Sequence, residues 1–156
     1  MSRFQVALVR ASLLWLVATA LLGIVFQLWP GVAGAWRTTH VHMGVLGFFL
    51  SMVMGVAYWM MPRPGGLRQE RWEAATFFAL HGGLVLRVVA EPQWRRTLAP
   101  VWQGASTASG ALLLIAIGSF AIAMNARVVT ADAVRRKRVR REVAARSQAT
   151  APDRDA

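Results

Sequence analysis

The chain has 156 residues, of which 56% are hydrophobic and only 16% charged, whereas a soluble domain carries about 25% charged residues. Its formal net charge is +11, but the body is too apolar for a soluble basic domain and holds no nucleic-acid-binding motif, so nucleic acid is excluded as a partner. The absence of cysteine excludes disulfides, thiolate metal sites, c-type haem attachment and cysteine nucleophiles.

A bilayer core about 30 Å thick requires roughly 20 apolar residues in a helix, and four segments meet that length. The first runs from Ala11 to Trp29, or from Phe4 if Arg10 snorkels towards the headgroups, and ends at Pro30-Gly31. Ala33-Gly34-Ala35 resembles a signal-peptide cleavage site, but the apolar run before it, about 19 residues, exceeds a usual signal core, so a retained helix is expected. The second span runs from His40 to Met61 and ends at Pro62-Arg63-Pro64-Gly65-Gly66. The third runs from Ala74 to Ala90, closed by Glu91-Pro92, and the fourth from Leu98 to Met124. Trp29, Trp36, Trp59, Trp72, Trp94 and Trp102 sit near these ends, as an interfacial aromatic belt requires. The expected fold is therefore an all-α, polytopic, four-transmembrane-helix bundle over residues 1–129, with a basic tail over residues 130–156.

Arginine and lysine counts give the orientation. Arg3, Arg10, Arg63, Arg68, Arg71, Arg127 and the tail basic residues fall on one side, fourteen in all, against Arg37, Arg95 and Arg96 on the other. The fourteen-residue side is expected to be cytoplasmic, which places both termini inside a bacterial-type inner membrane. Arg135 to Arg141 could lie as a helix on anionic headgroups, or serve only as a topology determinant followed by disorder from Ser147.

Polar residues inside a membrane are costly and are candidates for function. Here they are His40, His42, His81 and Arg87, with Asn125 at the end of the fourth span. No Asp or Glu falls within the expected spans, which argues against a carboxylate proton relay or a cation transporter. At 100° per residue, His40, Gly44, Gly47, Ser51 and Gly55 share one stripe. That surface suits a close helix neighbour or the face of a porphyrin. His42 lies about 160° round from His40. Three readings stay open. Two histidines could ligate haem b between helices, with Arg87 on a propionate. His40, His42 and Met43 could bind copper near the outer surface. The histidines could also serve packing alone. His81 lies ten residues before Glu91, roughly 15 Å below the outer surface, so pairing it with His40 on one iron needs tilt or a longer second helix.

Arg37-Thr-Thr-His40-Val-His42-Met-Gly-Val-Leu-Gly47, continuing to Gly55-Val-Ala-Tyr58-Trp-Met-Met-Pro62-Arg63, resembles the second helix of haem–copper oxidase catalytic subunits, in the cbb3-type oxidase and nitric oxide reductase branch. The resemblance implies that His40 is an axial ligand of a low-spin haem b. Leu84-Val-Leu-Arg87-Val-Val-Ala-Glu91 is similar to a stretch of NnrS-type membrane proteins linked to nitric oxide. Those catalytic subunits have many more helices and histidines. A chain with three histidines cannot house a complete oxygen- or nitric-oxide-reducing centre. The expected function is therefore that of a haem b-binding relative in respiratory electron transfer or nitric oxide handling, not a complete enzyme alone. His40 and either His81 or a partner's histidine would be its ligands. The alternatives are a non-catalytic scaffold subunit packing its glycine stripe on a larger complex, or a copper-handling protein. The bilayer is its first partner, and another respiratory membrane subunit or a second copy is the expected protein partner.

Overall fold

The computed structural model describes residues 2–62 and 69–128, together with 136, 139, 140, 142 and 143. The described residues fold into four helices long and apolar enough to cross a membrane: α1 (Arg3–Leu28), α2 (Pro30–Met60), α3 (Glu70–Thr97) and α4 (Pro100–Asn125). No strand occurs among them. The described residues are all-α, and their four long apolar helices suit a multi-pass membrane protein.

Local chemistry sets the ends. Ser2 and Gln5 form a reciprocal capping box that starts α1. The helix ends at Trp29, before Pro30. Glu70 and Glu73 occupy the first turn of α3, and Arg95 and Arg96 the last, each complementing the helix dipole. α3 ends on Leu98, which adopts the left-handed conformation (φ 54°) usually left to glycine.

Two helices are longer than the spans read from the sequence. α2 starts at Pro30, ten residues before His40, because Trp36 and Arg37 above the apolar stretch continue the helix instead of ending it. α3 passes through Glu91 and Pro92 to Thr97. Pro92 forfeits one backbone hydrogen bond, but the turn holding it is anchored to α2 by the neighbouring glutamate. The expectation of no carboxylate within the spanning helices is thereby corrected: Glu73 and Glu91 both lie in α3, and both are buried.

α2 changes its winding midway. It is 3-10 over Pro30–Val32, α over Ala33–His42, π over Met43–Leu50 and α again over Ser51–Met60. Such π segments are rare and often mark functional positions, and this one begins directly after His42.

Successive helices pack antiparallel. α1 meets α2 from Gln5 against Tyr58, through Trp15 against Gly47, to Gly23 against His40. α2 meets α3 through Tyr58–Thr76, Ser51–His81 and His42–Glu91. α3 meets α4 through Gly83 against Leu112 and Leu113, and through Arg87–Ser109. Three glycines are required by contact. A Cβ on Gly47 would stand 2.7 Å from Trp15 Cγ, one on Gly55 2.9 Å from Val9 Cγ2, and one on Gly83 3.0 Å from the Ser109 carbonyl oxygen. The core is built from Leu8, Met54, Tyr58, Leu80, Leu113, Ala116, Ala123 and Met124. Large exposed side chains such as Leu14, Phe49, Phe78 and Leu114 cover the outside, as a lipid-facing surface requires.

In the tail, Arg136, Val139, Arg140, Glu142 and Val143 are helical and exposed. Its other basic residues, Arg135, Lys137, Arg138, Arg141, Arg146 and Arg154, lie outside the described residues, as do Arg63 and Arg68. So does the disorder expected from Ser147.

Candidate functional site

Among the described residues, the buried charged groups, Glu73, Glu91 and Arg127, gather at the two ends of α3. Glu73 and Glu91 are eighteen residues apart, which is five full turns and about 27 Å. Both therefore lie on one face of α3, where Glu91 meets α2 and Glu73 meets the start of α1 and Arg127. Their separation is close to the thickness of a hydrocarbon core, about 30 Å, a spacing that would set the two carboxylates at its opposite edges.

At the first end, Glu73 accepts from Ser2 Oγ, from Gln5 Nε2 at 2.7 Å and from Arg127 at 3.4 Å. Arg127 also donates to the Tyr58 carbonyl at 2.7 Å and to Gln69 Oε1 at 3.0 Å, and its guanidinium lies 5.0 Å over the Tyr58 ring. Gln5, Tyr58, Glu73 and Arg127 are all buried. This clasp ties together the start of α1, the end of α2, the start of α3 and the segment after α4. Its groups satisfy one another, which is what burial of a charge pair demands.

At the second end, Glu91 Oε2 accepts from Thr39 Oγ1 and lies against His42 Nδ1, both at 3.1 Å, while Oε1 is 3.9 Å from Arg95. A carboxylate only accepts, so in the neutral ring Nδ1 carries the proton and Nε2 keeps its lone pair. The side chain of Glu91 is 5% exposed and that of His42 26%. A buried carboxylate thus holds an imidazole whose side chain is partly exposed.

The remaining sequence-derived candidates lie apart from this centre. His40 faces α1: its ring is 5.3 Å from Phe26, its Cε1 is 3.6 Å from the Cβ position of Gly23, and its Nδ1 is buried without a hydrogen-bond partner. His81 donates through Nδ1 to the Phe77 carbonyl at 2.9 Å, and its Nε2 lies 3.5 Å from Ser51 Oγ. The Ser51 hydroxyl in turn donates to the Leu8 carbonyl. Arg87 donates to Ser109 Oγ at 3.0 Å and to the Ser106 carbonyl at 3.2 Å, which ties it to α4. The structure does not bring His40 and His81 together. His81 sits level with Ser51, eleven residues along α2 from His40, about 16 Å of helix. The longer α2 does not remove that offset. The stripe of Gly44, Gly47, Ser51 and Gly55 is covered by α1 of the same chain, so a porphyrin laid on it would overlap Trp15 and Leu84. His40, His42 and the buried Met43 diverge, towards α1, α3 and the interior. Among the described residues no three His, Cys, Asp or Glu side chains group as a metal site would.

The residues that sequence reasoning missed are Thr39, Glu91 and Arg95 at one end, and Gln5, Glu73 and Arg127 at the other. Two signals for them were present: the Ser-x-x-Gln capping pattern at residues 2–5, and the eighteen-residue repeat of glutamate. Comparison with protein-family models, with curated proteins and with solved structures finds no match to this chain.

Proposed function

We propose that this chain is a membrane subunit that presents His42 as one axial ligand to a haem b shared with a partner chain, in respiratory electron transfer or nitric oxide handling. The contact between His42 and Glu91 carries the reading. Imidazoles that ligate metals are commonly held through the far nitrogen by a carboxylate or carbonyl, which fixes the ring and makes the ligating nitrogen more basic. His42 has that arrangement with a partly exposed ring, whereas His81 turns its free nitrogen towards buried Ser51. The resemblance of residues 37–63 to haem-ligating helices supports the same end of α2, two residues from the histidine it implies. Haem, when bound, supplies one-electron chemistry. Glu91 fixes the His42 tautomer, and Thr39 and Arg95 hold the carboxylate in place. The second ligand and the far wall of the haem site belong to the partner or to a second copy. The excess of basic residues at the termini supports an inner-membrane orientation with both ends cytoplasmic, which sets His42 near the outer face. The test is the reduced-minus-oxidised spectrum of protein purified in mild detergent after expression with ample haem. A haem b band is expected, and its absence overturns the reading.

A second reading, a non-catalytic scaffold subunit, is favoured by a different observation. Gly82 on α3 and Gly104 and Gly118 on α4 have nothing within 4 Å of their Cβ positions, which leaves room for another helix to approach closely. Stable association with one defined membrane protein, lost in Gly104→Leu and Gly118→Leu while the bundle stays folded and haem-free, would favour it over the first.

A further inference from the structure

A hollow of about 340 Å³ opens at the Glu91 end of the bundle, lined by Gly34 and Ala35 of α2 and by Trp94, Arg95 and Leu98 of α3. That volume is in the range of small-ligand sites. Its depth is set by the same ruler as the clasps. That spacing would set Glu91 at the edge of the hydrocarbon core, and Arg95 is one turn farther out, about 6 Å along the helix. Headgroups begin at that level, since the polar layers add only several ångströms on each side of the core. Arg95 is 41% exposed and only 3.9 Å from Glu91 Oε1, so its guanidinium keeps donors free for another oxygen anion. Arg37, Arg95 and Arg96 share this end of the chain with a single carboxylate among the spanning residues, Glu91, which leaves it net positive. Trp94 supplies the amphipathic wall usual at this depth. A Cβ built on Gly34 meets nothing within 4 Å, so the space beside it is open, and only a larger side chain there would fill the hollow.

We infer that this hollow binds the phosphate of an anionic phospholipid from the adjacent leaflet, with Arg95 as the phosphate contact and Gly34 giving the headgroup its room. The arginine matches a phosphate by paired donors, and net positive charge selects an anionic headgroup over a zwitterionic one. The inference is independent of haem.

Native mass spectrometry of the full-length protein, equilibrated with equal phosphatidylglycerol and phosphatidylcholine, tests it. The wild-type protein is expected to retain one phosphatidylglycerol through delipidation, at least tenfold over phosphatidylcholine. Arg95→Gln should abolish the preference. Gly34→Leu should empty the hollow without lowering the melting temperature, which separates lost binding from lost folding. Arg96→Gln, which changes a neighbouring exposed charge outside the hollow, should retain the lipid. Equal retention in Gly34→Leu, no headgroup preference in the wild type, or equal losses in Arg96→Gln and Arg95→Gln would each overturn the inference.

Discussion

Glu73→Ala is the perturbation most exposed to measurement. Glu73 is buried and receives donors from Ser2, Gln5 and Arg127. Its removal strands a buried guanidinium whose remaining acceptors are the Tyr58 carbonyl and Gln69. Breaking a buried pair by deleting one partner costs about 3–5 kcal/mol. Arg127→Met keeps bulk but leaves the carboxylate with two neutral donors, and should cost about 3 kcal/mol by the same reasoning. The double variant has no stranded charge, so its loss should fall short of the sum by roughly 2 kcal/mol, within the range seen for residues of one network. Equilibrium unfolding in mixed micelles, followed by helicity, gives all three values. Loss energies that add to within about 0.5 kcal/mol, the additivity expected of independent sites, would refute the pair as a coupled clasp.

Gly47→Ala should destabilise the bundle by about 1–3 kcal/mol through overpacking against Trp15 and Leu84, whereas Gly82→Ala should be neutral or stabilising; thermal melts of the two variants compare them directly. Arg87→Gln should weaken the α3–α4 pairing by about 1–2 kcal/mol, because hydrogen bonds to Ser109 and to the Ser106 carbonyl are lost or weakened, and should leave any haem spectrum unchanged. Spectral loss in that variant would instead place Arg87 at the haem. The cysteine-free sequence makes orientation measurable by single cysteines. Leu98→Cys should react with an impermeant maleimide in intact cells and Arg71→Cys only after lysis, and the reverse pattern would contradict the proposed orientation.

Much of the fold was legible because membrane spans are encoded by length and apolarity alone. The four helices follow from uninterrupted apolar runs, and Pro30 marked the first boundary correctly. What escaped was the polar chemistry at the edges. Pro92 read as a terminator, which put Glu91 in a loop and hid its contacts with Thr39 and His42. Arg127 counted only as a topology charge, although its guanidinium folds back beneath α2 and α3. Periodicity did identify the glycine stripe of α2, but it could not say what covers it. α1 does, and that is a property of tertiary pairing that no single helix carries. The histidines separated for a related reason. His40 and His42 differ in facing, as the helical angle requires, yet only the registers of α3 and α1 show that His42 meets a carboxylate and His40 an aromatic ring.

The most direct measurement is the reduced-minus-oxidised spectrum of the three histidine variants, side by side with wild type. His42→Ala should lose the haem b band, and Glu91→Gln should weaken haem affinity by roughly 10–100-fold, as loss of a ligand-orienting carboxylate does. His40→Ala and His81→Ala should keep the band at wild-type intensity. A band that survives His42→Ala, or that disappears only with His40 or His81, would contradict the account.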